Sequence, residues 1–375
     1  MTGDADAIVI GAGPAGAAAA TLLASRGFRT VVLEAKTFPR RKVCGAFLSA
    51  QALPLLRRLG AEQDVERVGP ERISGGAVHL PAGLSASFEL PAPGLGISRF
   101  ALDRLLADGA ARAGADVQFS SRVTSVERES AGFRVRLSGG ESATARIVIG
   151  AWGRWDALDR SLDRPFPGRR SRYLGWSGEY NGDGSRLKGA VRLYVFEGGY
   201  CGLSRVEGGR VNLAGVIVDA VQRQLGAGWE RVVAHACRSN RRLAEDLDGL
   251  SPADFLGTGP VYFAARSPIE KGILLVGDAA GVLDPFSGQG QAAALGSGAL
   301  AADCAADFLS ARAPVEDLPR VYAAAWRRSL GDRFAWSAAF RRFMLSPWLG
   351  GIAGRMAGPR LTRLAVRALA GPPTL

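Results

Sequence analysis

Glycines at fixed spacing behind a short apolar run are the chemistry-bearing feature of this chain. Ala7 to Ile10 suits a buried parallel strand, and Gly11, Gly13 and Gly16 follow it. That spacing belongs to a dinucleotide-binding fingerprint. Gly11 allows the tight turn, Gly13 lets the backbone approach a pyrophosphate, and Gly16 allows close helix–strand packing. Pro14 lies in the same turn. Ala15 to Ser25 reads as the helix whose N-terminus faces the phosphates, and Gly27 ends it. Thr30 to Leu33 is a second strand, closed by Glu34 and followed by Ala35. Glu34 lies 18 residues past Gly16, near the ~20 expected of the acid that binds a ribose hydroxyl. A carboxylate there repels a 2′-phosphate, so NADP is not expected at this site.

A second glycine motif lies far along the chain. The run I-L-L-V-G-D-A-A-G, residues 273 to 281, is a strand ending in Gly277-Asp278. Pro285 then breaks the chain. Gly288-Gln289-Gly290 opens a small-residue helix from about Gln289 to Leu309. Its free N-terminal amides suit negative charge.

The elements between these motifs must bring them together. Strand-like stretches at Gly76–Leu80 and Ser85–Leu90 precede a helix at Ile97–Ala113, with Leu102, Leu105, Leu106 and Ala110 on one face. Val117–Val126, Phe133–Leu137 and Ala145–Ile149 read as strands that rejoin the first domain. Tyr173–Val218 alternates and carries glycine turns, as a mostly antiparallel sheet does. Trp229–Leu247 reads as one helix, and the last 55 or so residues as helical with Pro/Gly breaks. The expected fold class is α/β: a Rossmann-like nucleotide-binding domain, an inserted mostly antiparallel substrate domain and a helical tail. The expected boundaries are 1–72, 98–155 and 255–319 for the first, 73–97 and 156–254 for the second, and 320–375 for the tail.

Composition excludes several classes. The 375 residues allow two or three domains. No long charge-free apolar run predicts a membrane span, and no signal peptide is expected. Cys44, Cys201, Cys237 and Cys304 have neither zinc nor disulfide-framework spacing, which fits a reducing cytoplasm. With only His79 and His235, a histidine metal site or a serine–histidine hydrolase is not expected, and both histidines read as structural. The net charge of +12 is concentrated: residues 320–375 hold ten arginines and one acid, Asp332. No nucleic-acid module accompanies this tail, so nucleic acid is not an expected partner. Phe334, Trp336, Phe340, Phe343, Met344 and Trp348 mix there with Arg333, Arg341 and Arg342. That pattern suits either a packing helix or peripheral contact with an anionic inner membrane.

Four stretches in order carry a resemblance: the N-terminal fingerprint, R-K-V-C-G-A-F-L-S-A at 41–50, S-R-F-A-L-D-R-L-L at 98–106, and G-D-A-A-G-V-L-D-P-F-S-G-Q-G-Q-A at 277–292. Over roughly residues 5–310 the chain resembles FAD-dependent oxidoreductases of the aromatic hydroxylase and geranylgeranyl reductase superfamily and, more distantly, flavin-dependent halogenases. The resemblance implies noncovalent FAD. It places Asp278 on the ribityl hydroxyls, Arg99 near the phosphates, and the amides of Gly288, Gln289 and Gly290 at the pyrimidine edge. Lys42, Cys44, Gly45, Val123 and Pro285 are further implied cofactor contacts. Cys44 lies in a loop that relatives place beside the flavin, which makes it a candidate for protonation or pocket shaping. Tyr194, Phe196, Tyr200 and Leu203 are candidates for an apolar cavity, with half of them expected in the sheet core, and Tyr200 is the candidate pocket residue for catalysis.

Departures temper the reaction. Many hydroxylases carry Gly-Ala-Asp-Gly where this chain has Gly150-Ala151-Trp152-Gly153, so tight NADPH binding of their kind is not expected. The Trp-x-Trp-x-Ile-Pro signature of tryptophan halogenases is absent, and their early lysine has no obvious counterpart beyond Lys36 or Lys42. The resemblance favours a monooxygenase that hydroxylates an apolar aromatic or polyketide-type substrate through a flavin C4a-hydroperoxide. The alternatives are a reductase of carbon–carbon double bonds in a lipid, a halogenase-like enzyme and a non-catalytic flavoprotein. NADPH or NADH, or a reductase partner, would donate electrons. Gly-Gln-Gly favours the hydroxylase; the Cys-Gly loop and the basic tail favour the reductase.

Overall fold

A computed structural model describes residues 5–154, 156–165, 171–311 and 315–344. The chain begins as its fingerprint requires, with β1 (Ala5–Ile10), α1 (Pro14–Ala24) and β2 (Thr30–Leu33). It then crosses to a second layer through β3 (Phe47–Leu48), α2 (Leu53–Arg58), α3 (Glu62–Val68), β4 (Glu71–His79) and β5 (Ser85–Gly96). It returns through α4 (Arg99–Arg112), β6 (Asp116–Gln118), β7 (Val123–Glu129), β8 (Gly132–Leu137), β9 (Ser142–Gly150) and α5 (Ala157–Ser161). The second layer resumes with β10 (Tyr173–Asn181), β11 (Ala190–Phe196), β12 (Gly199–Arg205) and β13 (Val211–Val218). After α6 (Asp219–Leu225), α7 (Trp229–Ser239) and α8 (Arg241–Leu247) comes β14 (Ser251–Pro260). Then β15 (Ile269–Glu270), β16 (Ile273–Leu275), α9 (Gly290–Ala311) and α10 (Leu318–Met344) close the chain.

Two sheets result. The first runs β15-β16-β9-β1-β2-β6, with β16, β9, β1, β2 and β6 parallel and the β7–β8 hairpin attached to β9. The second runs β14-β10-β13-β12-β11-β4-β5-β3 and is antiparallel except where β11 meets β4. This is the expected α/β class, a Rossmann-like unit with an inserted, mostly antiparallel sheet. β14 pairs with β10 from Ser251 to Pro260, so the boundary expected at 255 falls inside a strand.

Two expected elements are divided. The stretch 117–126 is not one strand, because β6 follows β2 while β7 turns away to pair with β8; Ser120 between them has φ +56°. The stretch 229–247 is two helices broken at Asn240, whose extended backbone leaves its side-chain amide to donate to the His79 and Val195 carbonyls at 2.9 and 3.0 Å.

The main core lies between the first sheet and α1, α4, α9 and α10. α1 packs through alanines: Ala17, Ala18, Ala19 and Ala20 are buried. The α1–α9 contact is close enough that a Cβ on Gly298 would lie 2.0 Å from the Ala15 carbonyl oxygen. Among the described residues α9 is the one helix long and apolar enough to cross a membrane, and it is mostly buried in this core.

Gly298→Ala should therefore force the two helices apart. A cost of about 1–3 kcal/mol is expected from overpacking of this kind, read as a Tm several degrees lower by calorimetry. Gly139→Ala, which meets nothing within 4 Å, should leave Tm unchanged. An unaltered Tm in the Gly298 variant would show that the helices part freely.

Candidate functional site

Parallel strands end on the same side, and here that side gathers the motifs. Gly11 follows β1, Glu34 follows β2, Ala151 follows β9 and Gly277 lies two residues after β16. Gly11 sits at φ +105°, and a Cβ there would meet the Ala151 carbonyl oxygen at 2.5 Å. Gly16 is tighter still: a Cβ on it would lie 1.9 Å from the Gly11 carbonyl oxygen. A cavity of about 1730 Å³ opens at these strand ends and reaches the second sheet. That exceeds the ~300–1,000 Å³ usual for one small ligand, so it has room for a dinucleotide and a second molecule.

Its narrow end is a cradle of amides and cations. α1 starts at Pro14 with Gly13 before it, and no side chain caps its amides, so they remain for a ligand. A Cβ on Gly13 would stand 3.7 Å from an Arg99 terminal nitrogen and 3.8 Å from Lys42 Nζ. Both cations are anchored from below by Asp103, which is fully buried. Arg99 Nε and a terminal nitrogen donate to its two oxygens at 2.5 and 2.8 Å, and Lys42 Nζ donates at 2.6 Å. Burial works to raise the Asp103 pKa, but the two cations hold its carboxyl below the ordinary range. Burial pushes the Lys42 ammonium below its usual value, only partly offset by Asp103. Burial also disfavours the Arg99 charge, yet Asp103 holds it above its usual value. Two cations over one carboxylate leave a net positive charge at the glycine loop, and this donor set fits a diphosphate.

Glu34 is buried on the adjoining wall. Its carboxylate accepts from Ala12 N–H at 2.9 Å and Lys36 N–H at 3.0 Å. Ala35 and Val123 line the same part of the cavity. Across the cavity, Asp278 is 41 % exposed and has Arg154 Nε at 3.6 Å. Its carboxylate is thus open to a ligand. The preceding Gly277 N–H donates to Ser297 Oγ at 2.9 Å, which ties the turn to α9. Pro285, Gly288, Gln289 and Gly290 also line the cavity. Gly288 has φ +64°, and the Phe47 ring fills the place of its missing Cβ.

The wide end is apolar. Val78, Leu193, Val216, Phe263 and Phe286 line it. Tyr200 belongs to this wall, stacked edge-on against Phe286 at 5.3 Å, with its hydroxyl donating to buried Asp284. Tyr194, Phe196 and Leu203 do not line the cavity: strand alternation turns them to the opposite face, under α7 and α8. Tyr194 donates there to Asp246 at 2.6 Å. His79 stacks on Tyr194 and has Ser85 Oγ at 2.7 Å from its Nδ1. His235 Nε2 lies 2.8 Å from the Glu197 carbonyl oxygen.

Cys44 and Gly45 line the cavity in the loop before β3. The Cys44 sulfur receives Ala46 N–H at 3.4 Å and the Gln291 side-chain amide at 3.5 Å, and Asn212 holds its carbonyl at 3.1 Å. Every residue singled out for cofactor or catalysis therefore borders one cavity, except Gly16, which packs beneath it. Sequence reasoning missed Asp103, although its i,i+4 spacing from Arg99 was a readable signal. It also missed Arg154, Asp284 and the inward contact of Arg333, which no local pattern announces. Phe340, Arg341, Arg342, Phe343, Met344 and Trp348 lie outside the described side chains.

Comparison with known proteins follows this geometry. Residues 4–188 match the model of a family described as FAD binding domain. Menaquinone reductase of Mycolicibacterium smegmatis is 28% identical over 352 residues, covering 89% of this chain and 82% of its own. Digeranylgeranylglycerophospholipid reductase 2 of Methanopyrus kandleri is 28% identical over 349 residues, covering 88% and 84%. Among solved structures, the myxobacterial chondrochloren halogenase CndH superposes with a TM-score of 0.81 at 22% identity, over 99% of this chain and 91% of that one. PqsL of Pseudomonas aeruginosa, in complex with 2-aminobenzoylacetate, gives 0.75 at 21% over 93% and 99%. These likenesses to solved structures establish the fold. The matched FAD binding domain and the two relatives mark the chain as an FAD-dependent oxidoreductase.

Two outcomes are expected. Asp278→Ala should fold, since its side chain is half-open, but bind FAD about 10- to 100-fold more weakly, as loss of a charged hydrogen-bond acceptor predicts; the 450 nm to 280 nm absorbance ratio reports it. Asp103→Asn should cost about 3–5 kcal/mol by leaving two cations together in a buried place. The Asp103 carboxyl is depressed in the folded protein, so its contribution is complete above the unfolded pKa of about 4 and is lost as pH falls through the lower folded value. Urea midpoints between pH 6 and 3 should show this acid-dependent loss in the wild type and a smaller one in the variant.

Proposed function

We propose that this protein is an FAD-dependent reductase that saturates carbon–carbon double bonds in an apolar, isoprenoid-bearing substrate. The observation that carries this reading is the placement of Cys44. Its loop sets a thiol against the first turn of α9, on a cavity that runs from the cation cradle to an apolar sheet. The two relatives matched over most of the chain support it, being by name reductases of a quinone and of a digeranylgeranyl lipid.

FAD, when bound, supplies the redox chemistry by taking two electrons from a donor and releasing them to the substrate. The glycine loop, Arg99 and Lys42 hold its diphosphate, Asp278 its ribityl hydroxyls and Glu34 its adenosine ribose. The apolar wall orients the substrate and excludes water. Cys44 Sγ holds a proton for the carbon that is to be saturated. The double bond thereby gains one proton from Cys44, while its two electrons and the other proton would arrive together as the hydride equivalent that bound FAD supplies. NADPH or NADH, or a reductase partner, supplies the electrons. Trp336, 62 % exposed on α10, is the described tail residue through which the protein would touch an apolar surface.

Gly288-Gln289-Gly290 sustains a second reading, a monooxygenase acting on an apolar aromatic or polyketide-type ring. One experiment separates the two. Protein reduced without oxygen and mixed with menaquinone should yield a product that stays heavier by two hydrogens after reoxidation in air, as a saturated side chain does and a quinol does not. Cys44→Ala should keep its FAD and turn over ~10²- to 10⁴-fold more slowly, the usual worth of a positioned acid. No reaction until oxygen is admitted, with an aromatic product heavier by one oxygen atom, would establish the hydroxylase instead.

A further inference from the structure

The described part of the basic tail, in α10, turns one face inward. Along α10, Leu318, Tyr322, Trp326, Leu330, Arg333 and Ser337 are buried, at the spacing of one helix face. This face grips the segment from β16 to α9 at successive turns. The Tyr322 hydroxyl donates to the Leu275 carbonyl at 2.8 Å. The Phe334 ring occupies the place where a Cβ of Gly281 would lie, 2.7 Å away. Arg333 donates to Gln289 Oε1 at 2.9 Å, and Ser337 Oγ accepts Asp284 N–H at 2.9 Å. Arg333 is only 7 % exposed, so its charge is weakly screened by solvent. Its partner is the residue that leads into α9, whose first residues, Gly290 and Gln291, line the cavity at the positive end of the helix dipole.

We propose that Arg333 is a positioning residue for the flavin: through Gln289 it fixes the Gly288–Gly290 turn and adds a full positive charge behind the α9 N-terminus, so that the site favours reduced, anionic flavin over oxidised flavin. The proposal rests on the flavin reading of the cavity. Two effects act in one direction. The hydrogen bond holds the amides where they are needed, and the guanidinium reinforces their partial charge. The neighbouring contact, Asp284 N–H to Ser337 Oγ, ties α10 to the same segment without a charge and without touching the Gly288–Gly290 turn, which makes the charge separable from the packing.

The test uses the full chain with FAD bound. Midpoint potentials are measured by dye equilibration, and oxidised-FAD affinity and apoprotein Tm alongside. Arg333→Met should weaken binding of reduced relative to oxidised flavin at least tenfold, a fall of about 30 mV for a two-electron couple. Arg333→Lys should restore most of it. Ser337→Ala should lower Tm and leave the potential in place. If Arg333→Met does not fold, Gln289→Glu keeps Arg333 and the shape of its partner and pairs the guanidinium with a carboxylate; it should lower the potential similarly. An unchanged potential in the Met or Glu variant, or an equal fall in Ser337→Ala, overturns the proposal. Failure of the wild type to hold FAD would instead overturn the flavin reading on which it rests.

Discussion

One buried carboxylate organises the narrow end of the site. Asp103 has no access to water, and a lone charge there would be untenable. It persists because Arg99 and Lys42 converge on it, one from its own helix and one from the loop that leads to Cys44. The arrangement fixes both cations against the glycine loop without neutralising them. It also ties α4 to the Lys42–Cys44 segment, so the cation cradle and the Cys44 loop share one anchor. A second network does the same between the layers: Arg41 pairs with Glu179 and Asp254, and Arg210 bridges Glu179 and Glu207. Glu207 in turn accepts from Ser98 N–H at 2.8 Å, at the start of α4. In both networks, charges far apart in the sequence join separate elements.

The fingerprint, the second glycine motif and the alternation of the inserted sheet were legible because each obeys a local rule. A turn that needs φ above zero selects glycine, and a buried parallel strand selects an unbroken apolar run. What escaped depended on partners distant in sequence. Strand alternation was readable around Tyr194 and Tyr200, but which face meets the cavity is decided by α7 and α8, some thirty to fifty residues later. The apolar residues of 117–126 could have formed one strand; competition between β2 and β8 for their backbone split them. Arg333 reads as one more tail arginine, since nothing in its neighbourhood reports that Gln289 waits 44 positions upstream.

Within α10 the arginines serve two different ends. Ten arginines among 56 residues suggested a surface feature, and an amphipathic pattern suits membrane and core alike. The structure places the apolar face of α10 against the core and draws one of the arginines in with it. Its remaining polar face keeps Arg327 and Arg328 in solvent, where they need no partner. Net charge thus describes what surrounds the molecule, while individual charges describe how it is built.

The interleaving of the two sheets bears on how the chain is made. The first sheet needs β16, after residue 270, to flank β9, and the second needs β14 to cover β10. Each layer is therefore completed by segments that emerge late in synthesis. The chain through the start of α9 must leave the ribosome before the strand ends align and the cavity exists. Long-range pairing of this kind is slow and exposes apolar edges meanwhile. For such a chain a ligand that bridges both glycine motifs is more than a reagent: by gripping the first and last strands to arrive, it locks early and late halves into a single cooperative body.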